Sequence, residues 1–273
     1  MTENLKKNFN KLKTEPILVL FVVLVTLSAF QIYIVSQFGN INWLINTLLI
    51  LSSTIILHYY FNILHIGSHY GISNNKTLNS FVSTVSAAIS GHTYACFATT
   101  HSIHHQFPGN EEKDPDYKIT HGSFFLFLPF KIFRHDLWFF EKNLYKKSGK
   151  LNNYLITRII QIILISAIVL SGNLDLFLLF WLFPIYILGV LNGIFLFYLP
   201  HNVTKYEKIL SKLSNVKLLA SVINLFENII FISRISHESH HNNVKAKDPY
   251  FPVIYYFINN VKYTKDYRFK YIN

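Results

Sequence analysis

Long apolar runs alternate with short polar, mostly basic connections along this chain. Four runs are long enough to cross a bilayer, which takes about 20 residues with a tolerance of a few either way. They are Ile17–Val35, Ile41–Leu64, Leu155–Ser171 and Leu174–Pro200, and each predicts a transmembrane helix. Pro184 should bend the fourth. The first run exceeds the ~7–15 apolar residues of a signal peptide and lacks an A-x-A cleavage site, so it reads as a retained anchor. Two weaker stretches break the pattern. Phe81–Thr99 is rich in Ser, Ala and Gly, and Ser221–Ile235 is interrupted by Asn224, Glu227 and Asn228. Both predict packed or interfacial helices that do not span.

Composition supports a membrane setting. Apolar residues make up 51% and charged residues 14%, against about 25% charged in soluble chains. Basic residues mark the cytoplasmic side. Lys6, Lys7, Lys11 and Lys13 precede the first run, while the turns at Ser36–Asn40 and around Gly172–Leu174 carry no Lys or Arg. All 25 Lys and Arg then fall on one side, with Arg158 snorkelling from the start of the third run. The expected fold is all-α and integral to the membrane. Four transmembrane helices form a single domain over residues 1–273, with 1–16 as a cytoplasmic segment, both termini inside and a cytoplasmic helical cap. The net charge of +11 is spread over loops between apolar runs, which argues against nucleic-acid binding. The Lys-, Asn- and Ile-rich composition fits a bacterial inner membrane.

Cysteine occurs once, as Cys96, which excludes an intrachain disulfide and any Cys-based zinc or iron–sulfur site. Histidine occurs 13 times, and nine copies fall in four groups. His65 and His69 form H-x-x-x-H. His101, His104 and His105 form H-x-x-H-H, and His237, His240 and His241 repeat it. His201 stands alone after Pro200. Residues three or four apart share a helix face, so each triplet aims at least two imidazoles at one point, and the adjacent histidine can reach a neighbouring ion. Every group adjoins the cytoplasmic end of an apolar segment. A crossing at Phe81–Thr99 would separate His65 from His101, a further reason to read that stretch as non-spanning. The isolated His58, His92, His121 and His135 read as packed or solvated residues. Eight or nine imidazoles exceed the roughly four ligands of a zinc ion and suit two ions, and imidazole alone leaves Fe, Zn, Cu and Ni open. A rival reading lies in His237-Glu238-Ser239-His240-His241, which also spells H-E-x-x-H. A membrane zinc metalloprotease would bind zinc through His237 and His241 and use Glu238 as general base.

Taken together, the four groups resemble the histidine boxes of the membrane fatty acid desaturase superfamily, over roughly residues 60–255. By motif context the carotenoid (beta-carotene) ketolase branch is the nearest in likeness. His65-Ile66-Gly67-Ser68-His69-Tyr70-Gly71 is similar to its first box, which ends in His-Gly, with Tyr70 inserted here. The His101–His105 stretch with Asp114-Pro115-Asp116, and Tyr198-Leu199-Pro200-His201, resemble its second box and its isolated-histidine motif. The last box departs from it. A Pro-Trp-rich continuation is replaced by Asn242-Asn243-Val244-Lys245-Ala246-Lys247-Asp248-Pro249-Tyr250, which leaves acyl desaturation or hydroxylation equally open.

The resemblance implies two iron ions held by His65, His69, His101, His104, His105, His201, His237, His240 and His241, with O2 as co-substrate and a membrane lipid as substrate. Asp114, Asp116, Glu238 and Asp248 are candidates to hydrogen-bond the ligand histidines, since metal-bound imidazoles usually donate their other N–H. With one cysteine and no room for a haem or flavin domain, the electron donor is expected on a separate chain, of ferredoxin, rubredoxin or cytochrome type with its reductase. Lys262, Lys265, Arg268 and Lys270, interleaved with Tyr263, Tyr267, Phe269 and Tyr271, read as an interfacial anchor ahead of a docking site for that donor.

Overall fold

A computed structural model of the chain describes residues 15–37, 42–121, 128–147 and 149–198. The described residues form helices and no strand. Four helices are long and apolar enough to cross a membrane. They are α1 (Glu15–Gln37), α2 (Trp43–Ser68), α7 (Lys150–Leu170) and α8 (Leu174–Asn192). Between α2 and α7 lie α3 (Lys76–Ile89), α4 (Tyr94–Gln106), the single turn α5 (Tyr117–Thr120) and α6 (Leu128–Glu141). The Ser221–Ile235 stretch and the basic aromatic tail lie outside the described residues.

Local chemistry starts these helices where the sequence changes character. The Asn42 carboxamide oxygen caps α2 by accepting from the Ile45 N–H, and Asn75 caps α3 by accepting from Thr77 and Leu78. Each satisfies N–H groups that a helix N-terminus leaves without partners. α7 begins at Lys150, five residues before its apolar run, because polar Asn152 and Asn153 still suit a helical first turn. Outward-facing Val22, Ile32, Leu48 and Ile162 are exposed apolar side chains on α1, α2 and α7. Aliphatic faces of this kind suit lipid tails.

α2 is the central post. Its Tyr60, Ile63 and Ile66 pack with Ile17 and Leu24 of α1, while Phe61 and Leu64 pack with Ala87, Tyr94 and Phe97 of α3 and α4. Inside the bundle, His58 joins α2 to α8. Its Nδ1 pairs with Asn192 Oδ1 at 3.1 Å, and its Nε2 with Asn62 Nδ2 at 3.1 Å. Both ring nitrogens thus meet amide groups, which satisfies the polar atoms of a buried imidazole among apolar helices.

The Phe81–Thr99 stretch is two helices with a break at Ser90–Thr93. Gly91 turns the chain with a φ of +82°, a left-handed value that glycine adopts without steric cost. The break lies level with the middles of α7 and α8. Gln161 Nε2 of α7 donates to the His92 carbonyl at 2.9 Å, and Trp181 Nε1 of α8 donates to the Ile89 carbonyl at 2.8 Å. Irregular backbone at membrane depth needs such internal partners. α3 and α4 therefore form a re-entrant pair that enters and leaves on the side where α2 ends. In α8 a π-helical stretch at Leu178–Leu182 precedes Pro184. Proline cannot donate to the carbonyl four residues earlier and its ring crowds it, so the helix widens by one residue per turn there.

Candidate metal centre

The end of α2 is built around a close helix contact. Gly67 lies between His65 and His69 and faces α3 so tightly that a Cβ there would sit 1.8 Å from Ser83 Oγ. Its carbonyl accepts from Asn79 Nδ2 of α3 at 2.9 Å and from the Tyr94 hydroxyl of α4 at 3.2 Å. The helix then ends in a reciprocal cap. The Gly71 N–H donates to the Ile66 carbonyl and the Tyr70 N–H to the Gly67 carbonyl, both at 3.0 Å. Tyr70 occupies the left-handed position of this cap with a φ of +58°, a place where glycine is usual. The inserted tyrosine thus completes the turn that orients His69.

Four histidines from the two helix ends converge. The ligand atoms of His65, His69, His101 and His105 all lie within 4.8 Å of one another. His101 Nε2 is 2.7 Å from His65 Nε2 and 3.0 Å from His105 Nε2. Two imidazole nitrogens bound at adjacent positions of one ion, each about 2.1 Å from it, sit about 3 Å apart. The observed spacings match that value, and the donor set of imidazoles fits a first-row transition metal. Burial lowers the pKa of His69 to about 4, which keeps its ring neutral and able to donate a lone pair at neutral pH. The Phe97 ring stacks on His101 at 5.1 Å between centroids and closes the apolar side of the cluster.

His104 turns the other way, toward the Asp114-Pro115-Asp116 turn. Its Nδ1 donates to Asp114 Oδ1 at 2.8 Å and lies 3.6 Å from Asp116 Oδ2. Asp114 is saturated, since its Oδ2 accepts from the Gly109 N–H at 2.7 Å and its Oδ1 also accepts from the Asp116 N–H at 2.8 Å. Both carboxylates are buried, as is His104. Burial alone would lower the His104 pKa, but the charge of Asp116 and the hydrogen bond and charge of Asp114 outweigh it and raise the pKa. A carboxylate that holds one ring nitrogen fixes the tautomer, points the other nitrogen outward and raises its basicity. Asp116 is held in turn by His135 Nε2 of α6, which contacts its Oδ1.

The described residues thus bring together His65, His69, His101 and His105, and place His104 beside them with Asp114 and Asp116. His101 and His104 ring centroids are 6.0 Å apart. His201, His237, Glu238, His240, His241 and Asp248 lie outside the described residues. By sequence alone His135 looks like an ordinary packed or solvated residue. It is buried, and its partner belongs to the histidine site. No spacing signal links positions 116 and 135, so only the fold reveals the contact. Of the other isolated histidines, His121 is exposed and stacked on Tyr117, while His58 and His92 are packed within the bundle.

A family model described as "Fatty acid desaturase" matches residues 41–243 of the 273, which takes in all four histidine groups. No curated protein and no solved structure matches the chain.

Proposed function

Within the fatty acid desaturase family, to which this chain belongs, we propose that it acts as an O2-dependent di-iron enzyme on C–H bonds of a membrane lipid. Membership makes it a membrane-bound oxidoreductase of the desaturase and hydroxylase type. The observation that carries the finer reading is the convergence of His65, His69, His101 and His105, with His104 oriented beside them by Asp114. In this reading those five hold the metal together with His201, His237, His240 and His241. Bound iron supplies what side chains lack, an oxidant made from O2 and two electrons that can attack an unactivated C–H bond.

The residues of the chain have three tasks. The helix ends at Gly67 and Gln106 fix the direction of the imidazoles. Asp114 holds the Nδ1 proton of His104 so that Nε2 faces the metal. Phe97, Phe61 and Leu64 exclude water from the membrane side of the cluster. The lipid approaches from the bilayer, and its position against the site decides whether an alcohol, a double bond or, after two oxidations of one carbon, a ketone results. An acyl chain and a carotenoid ring both fit this scheme. The sidedness of the basic residues supports a cytoplasmic site in a bacterial inner membrane, served by a separate electron donor of ferredoxin, rubredoxin or cytochrome type.

The test is lipid analysis of cells expressing the chain with a donor and reductase, with and without O2. A new O2-dependent acyl product favours the acyl enzyme, and a colour change in carotenogenic cells favours the ketolase. The zinc protease reading makes an opposite prediction for variants. It has Glu238→Gln abolish activity while His65→Ala and His101→Ala are tolerated. The oxidoreductase requires both histidines.

A further inference from the structure

His135 lies on α6, about thirty residues from the nearest histidine group, yet its ring is buried against the acidic turn of the site. Nε2 contacts Asp116 Oδ1, and among the described residues Nδ1 has no hydrogen-bond partner. Desolvating an imidazole costs free energy unless its polar atoms are matched, so the contact with Asp116 is what compensates the burial. Asp116 in turn faces His104 Nδ1 at 3.6 Å, and its N–H donates to the same Asp114 oxygen that holds that nitrogen. A line of contacts thus runs from His135 through Asp116 to His104 and Asp114. The next residue of α6 points elsewhere. Asp136 pairs with Arg158 of α7, and Arg158 donates to Gln161 Oε1 at 2.8 Å, the residue that satisfies the α3–α4 break. α6 is therefore clamped to the spanning bundle by Asp136 and reaches the site through His135.

We infer that His135 is a positioning residue for the metal centre, acting through Asp116 to hold His104 in its ligand orientation. The inference rests on the iron-binding reading above. It separates His135 from an ordinary core histidine, whose loss would lower stability without changing how tightly the site holds a metal.

The test is the affinity of the detergent-purified full chain for ferrous iron, measured by chelator competition beside the thermal midpoint of the iron-free protein. His135→Phe keeps the ring volume and removes the donor, and should weaken iron binding about 10- to 100-fold, the usual effect of losing a group that orients a ligand. His135→Gln keeps an N–H donor and should recover most of that loss. Asp136→Asn loosens the same helix without touching Asp116, and should lower the midpoint while keeping iron affinity. If His135→Phe does not fold, His135→Ala removes the same contact, and Asp116→Asn/His135→Ala should bind iron no more weakly than Asp116→Asn alone. Wild-type iron affinity in His135→Phe, or an equal loss in Asp136→Asn, would overturn the inference. So would additive losses in the double variant. A wild-type chain that binds no iron at all overturns the parent reading instead, an outcome visible before any variant is compared.

Discussion

Gly67→Ala adds one methyl group where two helices of the site touch. Its Cβ would lie 1.8 Å from Ser83 Oγ and 2.9 Å from both Ser83 Cβ and Ile72 Cδ1. Non-bonded carbons rest about 3.5–4.0 Å apart. The Ser83 hydroxyl can swing away at the cost of its 2.6 Å bond to the Asn79 carbonyl. Its Cβ cannot, so α2 and α3 must part by about 0.6 Å or more. Overpacking on this scale costs about 1–3 kcal/mol, and the helix preference of alanine over glycine returns about 1 kcal/mol. The net loss of stability is then about 1 kcal/mol. The effect on metal binding is larger. α4 follows α3 through the re-entrant turn, so the shift separates His65 and His69 from His101 and His105. Metal–ligand distances tolerate only about 0.2 Å. Thermal unfolding in detergent and iron titration should show a slightly lowered midpoint and an iron affinity reduced about tenfold or more, the scale for disturbed ligand support. Gly67→Ala/Ser83→Gly removes both clashing Ser83 atoms and should regain iron affinity, although the Ser83→Gly change gives up about 0.5 kcal/mol of helix preference. Wild-type midpoint and wild-type iron affinity in Gly67→Ala would refute the close approach of the two helices.

Two other perturbations probe the same region. Tyr70→Gly relieves a left-handed backbone conformation that costs a side-chain-bearing residue about 1–2 kcal/mol, partly offset by about 0.4–1 kcal/mol of extra chain entropy in the unfolded state. The thermal midpoint should rise, and a lower one would show that the Tyr70 side chain contributes more than its backbone costs. Gln161→Leu takes from the α3–α4 break the 2.9 Å donor to its His92 carbonyl. An unmet buried acceptor costs about 1–3 kcal/mol, so the thermal midpoint should fall, and an unchanged midpoint would contradict this support of the break.

The membrane architecture was legible in the sequence because hydropathy alone marks a spanning helix. The run Ile17–Val35 lies within Glu15–Gln37, and the run Ile41–Leu64 corresponds to Trp43–Ser68. The break at Ser90–Thr93 was not legible. The run from Phe81 to Thr99 mixes Ser, Thr and Ala with larger apolar residues on both sides of Gly91, and the partners that make the break possible, Gln161 and Trp181, are distant in sequence. The H-x-x-H-H pattern announced that some of its imidazoles share a face, but left open which. The fold turns His101 and His105 toward His65 and His69, and His104 toward Asp114, because the acidic turn packs on only one side of α4. His135 carried no signal at all, since its meaning comes from Asp116 and not from its neighbours along the chain.

The central claim is a pair of iron ions in the histidine cluster, and the most direct test is elemental analysis of the detergent-purified protein beside a His104→Ala/His240→Ala variant. Nine imidazoles are too many for one ion with about four ligands, so the account predicts about two irons per chain in the wild type and their loss in the variant. About one zinc per chain, kept in the variant or not, would contradict it.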